Sequence, residues 1–294
     1  VKSVIKITLK VPQGDGLSGL VRVQGAVQKY FRTMDQLNLK YRTGGLEVFG
    51  NFGYMGGRHE DASTIDMLTR ASVLWNQIME QEGKAKVQDF YAKAGFSYLF
   101  NSRHSIGAYY TNGFKKTDAH NYGFSRIFAD GTSYDELSVN IHQKGDLAPK
   151  HHANMYYNGT IGKLGIDLNM DYMWQKDNSD LLNDEASGNF DDARVASSTL
   201  NHSRLFAEKL VFSYPVWKGS IEFGNEYTSS RFATDYTTNA SQLTSADSRV
   251  DESNIAGFVQ LAQHFGIWNV GAGLRYEHVA FKYLENGQKR DDMS

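Results

Sequence analysis

Residues 164 to 175 read LGIDLNMDYMWQ, and their side chains sort by parity. Ile166, Leu168, Met170, Tyr172 and Trp174 fall on one side of an extended chain. Asp167, Asn169, Asp171 and Gln175 fall on the other, with Met173 the exception. Period-two alternation marks a strand with one apolar and one polar face. It does not say whether the apolar face meets a packed core or lipid. The same pattern recurs along the chain. Val21, Val23 and Val27 oppose Arg22, Gln24 and Gln28; Leu37, Leu39 and Tyr41 oppose Asn38, Lys40 and Arg42; Leu46, Val48, Phe52 and Tyr54 oppose Glu47 and Asn51. Downstream, Phe90, Ala92, Ala94, Phe96, Tyr98 and Phe100 oppose Asp89, Lys93 and Ser97. Further segments set Met155, Tyr157 and Ile161 against His152, Asn154, Asn158 and Thr160, and Ile221, Phe223 and Tyr227 against Glu222, Glu226 and Thr228. The last sets Trp268, Val270, Ala272, Leu274 and Tyr276 against Asn269, Arg275 and Glu277. The chain is all-β, and the segment 64 to 80 (TIDMLTRASVLWNQIME) is the one stretch left open between helix and strand.

The connections alternate too. Short turns stand at TGG (43 to 45), FNSRHS (100 to 105), IGKLG (161 to 165), YPVWKGS (214 to 220) and HFGIW (264 to 268). Between them lie long polar stretches, roughly 56 to 87, 113 to 150, 176 to 203 and 230 to 252, read here as long loops. Short turn, strand, long loop, strand is the rhythm of an antiparallel transmembrane β-barrel with tight periplasmic turns and long extracellular loops. A soluble sandwich would space its turns more evenly. Tyr54, Phe100, Tyr110, Tyr172, Trp174, Tyr227, Trp268 and Tyr283 lie near strand ends, as interfacial girdles do. About eleven spanning strands are expected from residue 17 onward, each near the ~9–11 residues of a tilted span. The strand 268 to 283 runs outward with no return. The chain opens at Val1 without an initiator Met or a signal-peptide pattern and closes on DDMS, so both ends read as cut.

Composition agrees with this reading only for strands. A mean hydropathy of −0.49 argues against helical spans, which need ~20 consecutive apolar residues. It does not argue against a barrel, where every second residue faces a polar lumen. A net charge of −2 and the lack of a basic stripe give no reason to expect nucleic acid as a partner. Zero cysteine removes disulfides, thiol nucleophiles and thiolate metal sites. The polar faces carry Arg22, Lys40, Arg42, Glu47, Lys93, Asp167, Asp171, Glu222, Glu226, Arg275 and Glu277. Isolated buried ions are very costly, so such density calls for water, opposite charges or a polar plug. A wide, plugged barrel of ~22 strands accommodates all of them.

The first residues, VKSVIKITLKVPQGDGLSG, sharpen the expectation. Val4, Ile5, Ile7 and Lys10 resemble the V-I-x-I-x-x-K strand that ends the plug in TonB-dependent outer-membrane receptors, particularly the Bacteroidetes-type outer-membrane β-barrel group. Lys2 and Ser3 stand where many members carry glycines. The stretch NLKYRTGGLEVFGNFGY resembles the second and third barrel strands of that group. The resemblance implies that residues 1–12 are the C-terminal strand of a plug and 13–294 the N-terminal part of an incomplete barrel. It implies energised uptake of a scarce solute such as an iron chelate, cobalamin, glycan or peptide. The partners implied are outer-membrane lipid, a TonB complex contacted outside this chain, a small solute and a surface lipoprotein. The setting implied is the outer membrane of a Gram-negative, Bacteroidetes-like bacterium.

The residues themselves offer little other chemistry. His151 and His152, adjacent on a strand, point to opposite faces and cannot chelate one ion. His120 and His142 lie in or near a long loop. No nucleophile-elbow or other spaced motif supports catalysis, so neither enzyme activity, nor a cofactor, nor a metal site is expected. The acidic stretches 177 to 192 and 245 to 253 lack the order of a calcium loop and read as solvated. Ligand contact is expected from loops, with 113 to 150 the longest and carrying Lys115, Lys116, Arg126, Phe128 and Tyr134, none singled out. Two other readings stay open: a passive porin, and a soluble all-β binding protein or adhesin.

Overall fold

The computed structural model describes residues 14–241 and 243–289. The expected plug strand, residues 1–12, lies outside the described residues. Twelve strands follow in chain order: β1 (Gly16–Val27), β2 (Phe31–Thr43), β3 (Leu46–Arg70), β4 (Leu74–Asn101), β5 (His104–Ala129) and β6 (Thr132–Ile161). Then come β7 (Leu164–Ser187), β8 (Ala193–Val216), β9 (Gly219–Thr238), β10 (Ala246–Phe265), β11 (Trp268–Glu285) and the two-residue β12 (Gln288–Lys289). They form one sheet in which every strand pairs antiparallel with its neighbours in sequence, and no helix occurs among the described residues. Eleven of the strands run 12 residues or more. A sandwich would divide them into two packed sheets, whereas here all twelve belong to one.

That sheet has no core of the usual kind. Ala256 is the one buried hydrophobic residue among the described residues, while Val21, Leu274 and Tyr276 are 70%, 78% and 75% exposed. Cross-strand partners share a face, so the pairing extends the two faces of LGIDLNMDYMWQ across the sheet. Leu168 stands opposite Tyr157 and Leu210, Met170 opposite Met155, and Tyr172 opposite Ala153 and Phe206. Phe212 continues to Phe223, which continues to Val259 and Leu274. This apolar band is here named the belt face. On the opposite face Asn154 meets Asp171, Arg42 meets Glu47, and Lys209 meets Glu226.

At the short-turn end all five expected connections are two-residue turns: 44–45, 102–103, 162–163, 217–218 and 266–267. Gly44, Gly162 and Gly266 take φ values of 56°, 62° and 61°, a left-handed backbone that glycine adopts without a Cβ clash. At the far end the expectation of long loops is wrong. The polar stretches continue as paired strands, so β3 to β8 run 24 to 30 residues each. Arg70 pairs with Leu74 across the turn at 71–73, which resolves 64 to 80 as strand, turn and strand. Asp130–Gly131 (φ 50° and 81°) and Asn286–Gly287 (φ 50° and 75°) close two hairpins with both residues left-handed, as type I′ turns require. Beyond the belt the continuous apolar band ends and only short apolar runs remain, such as Leu137, Val139 and Ile141, although the pairing persists.

Besides two shifts beside turns, at Leu99/Asn101 and Ile127/Phe128, one irregularity changes parity in the middle of β6. Between β5 and β6 the register steps from Gly113↔Lys150 to Lys115↔Leu147, and the β6–β7 ladder steps at the same place. The extra residue on β6 sits at Ala148–Pro149, where proline has no N–H to give the ladder. Below this bulge the odd residues of β6 lie on the belt face; above it the even ones do.

Candidate functional site

The opposite face carries most of the charges at the height of the belt, and eight of the eleven assigned there by parity gather into three groups. On β2 and β3, Glu47 holds Lys40 at 2.8 Å and pairs closely with Arg42. On β4 to β7, Lys93 Nζ sits 3.6 Å from the centre of the Tyr109 ring, a cation–π contact. Beside it Asp171 accepts hydrogen bonds from Asn154 and Asn169, both at 2.9 Å, and pairs with His152 at 2.8 Å. On β8 to β11, Glu226 bridges Lys209 and Arg275, each at 2.7 Å, and Arg275 continues to Glu277 at 3.0 Å. All eleven charged residues assigned to the polar face by parity lie on this face in the register. Opposite signs meet across neighbouring strands, which is how a wall holds so many ions at small cost.

The belt face changes character along each strand. On β7 the order is Leu164, Ile166, Leu168, Met170, Tyr172, Trp174, then Lys176, Asn178 and Asp180. On β5 it is Ile106, Ala108, Tyr110, Asn112, Phe114, then Lys116, Asp118 and His120. Ion pairs begin where the apolar residues stop: Lys116–Asp146 at 3.7 Å, Arg126–Glu80 at 2.9 Å, Arg231–Asp251 at 2.6 Å and Arg194–Asp184 at 3.3 Å. The band between the short turns and these pairs is about the ten residues that a tilted span of ~25 Å requires. Seven of the eight expected girdle aromatics lie on the belt face. Tyr283 does not, because it pairs with Val250 on the other. Glu208 interrupts the belt, standing opposite Met170 and Tyr227 and accepting a 2.8 Å hydrogen bond from Asn225.

Above the belt the sequence-derived candidates are spread out. Lys116 and Arg126 are held by carboxylates on the belt face, Lys115 stands opposite Asp89 on the other, and Tyr134 packs edge-on against Trp75 at 4.9 Å. Phe128 lies on the belt side opposite Asn76. The stretch 113 to 150 is therefore a hairpin of two long strands, and it gathers no single cluster from these five. His151 and His152 do point apart: His151 stacks on Trp174 at 5.0 Å on the belt face, while His152 joins Asp171 on the other. Within the acidic stretches Asp251 sits between Arg231 and Arg249, and Asp180 accepts a hydrogen bond from Ser198 Oγ at 2.6 Å.

Two carboxylates above the belt stand out. Asp135, nearly buried, accepts from Ser187 Oγ at 2.7 Å and from the backbone N–H groups of Glu136, Gly188 and Asn189. The Ser187 hydroxyl, followed by these amides, holds its carboxyl below the usual range against partial desolvation. Asp118 accepts from His142 at 2.8 Å and lies 3.5 Å from His120, and the His142 contact lowers its pKa. His120 and His142 are direct cross-strand partners, their rings stacked with centroids 3.8 Å apart. Sequence parity alone hides this trio, because the β6 bulge sets the side on which His142 falls.

Residues 158–293, spanning β7 to β11, match the model of a family described as outer membrane protein beta-barrel family. The fold is that of an outer-membrane β-barrel. The belt face is then the lipid-facing side, and the ionic groups line the other. Among solved structures the chain is similar to the ferric citrate transporter FecA in its unliganded form, with 8% identity and a TM-score of 0.30 over 94% of this chain and 53% of that one. It is similar to BauA, the ferric preacinetobactin receptor from Acinetobacter baumannii, with 9% identity and a TM-score of 0.34 over 92% and 60%. It is also similar to the Pseudomonas putida toluene transporter TodX, with 9% identity and a TM-score of 0.29 over 92% and 87%. The chain thus spans little more than half the length of the first two. No curated protein matches it by sequence.

Proposed function

We propose that this chain is part of the wall of an outer-membrane receptor that takes up a scarce solute with energy supplied by a TonB complex. The observation that carries the reading is the density of paired charges at membrane depth on the face away from lipid, from Glu47 on β3 to Glu277 on β11. A narrow barrel would have to bury these groups against one another. A wide one sets them against water or a polar plug, and charge pairing between neighbours keeps the wall stable in both. In this reading the two-residue turns face the periplasm and the long hairpins rise on the cell surface. The solute is of the iron-chelate, cobalamin, glycan or peptide class, a surface lipoprotein assists its capture, and the source is Bacteroidetes-like.

The test is uptake of candidate solutes by cells carrying the complete protein, with and without the inner-membrane energy partner. Loss of uptake without the partner is expected. Uptake that persists unchanged points instead to a passive porin and overturns the energised reading.

A further inference from the structure

We infer that Asp118, His120 and His142 form a binding site for a divalent transition-metal ion on the outer flank of the β5–β6 hairpin, above the lipid belt. The three ligand atoms already converge. Asp118 Oδ1 lies 2.8 Å from His142 Nε2 and 3.5 Å from His120 Nε2, and one ligand atom from each residue lies within 4.8 Å of the others. A tetrahedral ion with bonds of ~2.0–2.1 Å has ligand–ligand edges of about 3.3 Å. Two of the separations straddle that value, so small side-chain rotations would seat an ion without moving the strands.

The placement is set by the backbone. Asp118 and His120 are two apart on β5 and share a face. His142 reaches the same face because the β6 bulge at Ala148–Pro149 reverses parity, and direct pairing with His120 fixes its height. All three lie past Phe114, where the belt face has left the apolar band, so water has access; His120 and Asp118 are half exposed and His142 is less so. Two imidazoles and one carboxylate suit Zn²⁺, Ni²⁺ or Cu²⁺ rather than Ca²⁺ or Mg²⁺, and three protein ligands leave positions for water. Lys84 stands across from His120, and Lys86 and Lys144 flank Asp118. These ammonium groups weaken the site, and Asp180, the cross-strand partner of Lys144, offsets part of their field. The site does not depend on the transport reading, because a metal here would bridge two strands outside any lumen.

Titration of the complete, detergent-solubilised protein with Zn²⁺ alone, against a chromophoric chelator, tests it directly. One ion per chain is expected, with at least about tenfold weaker binding in His120→Ala, His142→Ala and Asp118→Asn, a loss typical of disrupted metal shells. Lys144→Gln should tighten binding, and His264→Ala should leave it unchanged. Far-ultraviolet circular dichroism identical to that of the parent protein keeps the variants comparable. No Zn²⁺ bound at one per chain, or equal binding by His142→Ala, overturns the site whatever the protein transports.

Discussion

A charge placed on the belt face of β7 reads out the depth of the membrane residue by residue. With a rise of ~3.4 Å per residue and a tilt near 45°, each belt-face step of two residues climbs about 5 Å of bilayer. Leu164 to Trp174 therefore covers roughly 24 Å, and Leu168 and Met170 lie within a few ångströms of its middle. Lysine at the midplane of a barrel costs about 2–4 kcal/mol, falling to ~0–1 near the interfaces. Measured against alanine at the same position, Leu168→Lys should sit at the top of that range and Trp174→Lys near zero. Met170→Lys should cost less than Leu168→Lys, because Glu208 stands across from Met170 and supplies a counter-charge. Asn169→Lys, one residue away on the other face, should cost much less than Leu168→Lys, because the Asp171 carboxylate beside it offsets the repulsion from Lys209 across the ladder. The assay is reversible denaturant unfolding of the complete protein from phosphatidylcholine vesicles. A cost independent of depth, or one for Asn169→Lys equal to that of Leu168→Lys, would refute the assignment of faces.

Glu208 itself should be a liability: Glu208→Leu is expected to raise stability in vesicles by about 1 kcal/mol, since acidic residues cost less than lysine on a lipid face, and a destabilised variant would mean that the hydrogen bond from Asn225 outweighs the cost of the charge. Asp135→Asn should speed amide exchange at Gly188 and Asn189 severalfold, because the charge-assisted bonds that order the β7–β8 turn are weakened. The pH dependence has a definite sign. A carboxylate held below its unfolded value stabilises the turn above that value, near 3.9, and loses the contribution as acid carries the pH down through its folded pKa. Protection of these amides, taken relative to the intrinsic exchange rate at each pH, should therefore fall in acid in the parent protein and stay flat in Asp135→Asn.

Much of this architecture is legible in the sequence, for a physical reason that also marks where legibility stops. Within the belt, lipid on one side and polar surroundings on the other force alternation, so the faces of β7, β9 and β11 and the five short turns follow from parity and from residues such as Gly162 and Gly266. Above the belt both faces meet water. Only short hydrophobic runs survive there, such as Leu137, Val139 and Ile141, too brief to mark the long paired strands by pattern. Asp130–Gly131 and Asn286–Gly287 were the available signs of hairpins in those stretches. Tyr283 shows the same boundary, an aromatic near a strand end whose parity puts it away from lipid. The Asp118–His120–His142 trio needed more: the register of β5 against β6, and a one-residue bulge at a proline, decide it together. Neither is written in local periodicity.

With the long hairpins on the cell surface, as proposed above, the continuation of the ladder beyond the belt also decides what the outside world can cut. Proteases need an unpaired stretch of chain to thread their clefts, and the backbone of β6 stays paired from Thr132 almost to Ile161, broken at the bulge. Some eighteen of its residues stand past the belt, a palisade of roughly 40 Å at the same rise and tilt. Its weak points are the tips, notably 71–73, 188–192 and the connection that follows Thr238. A protease applied to intact cells should nick there and leave the palisade standing, its halves still laced together by hydrogen bonds.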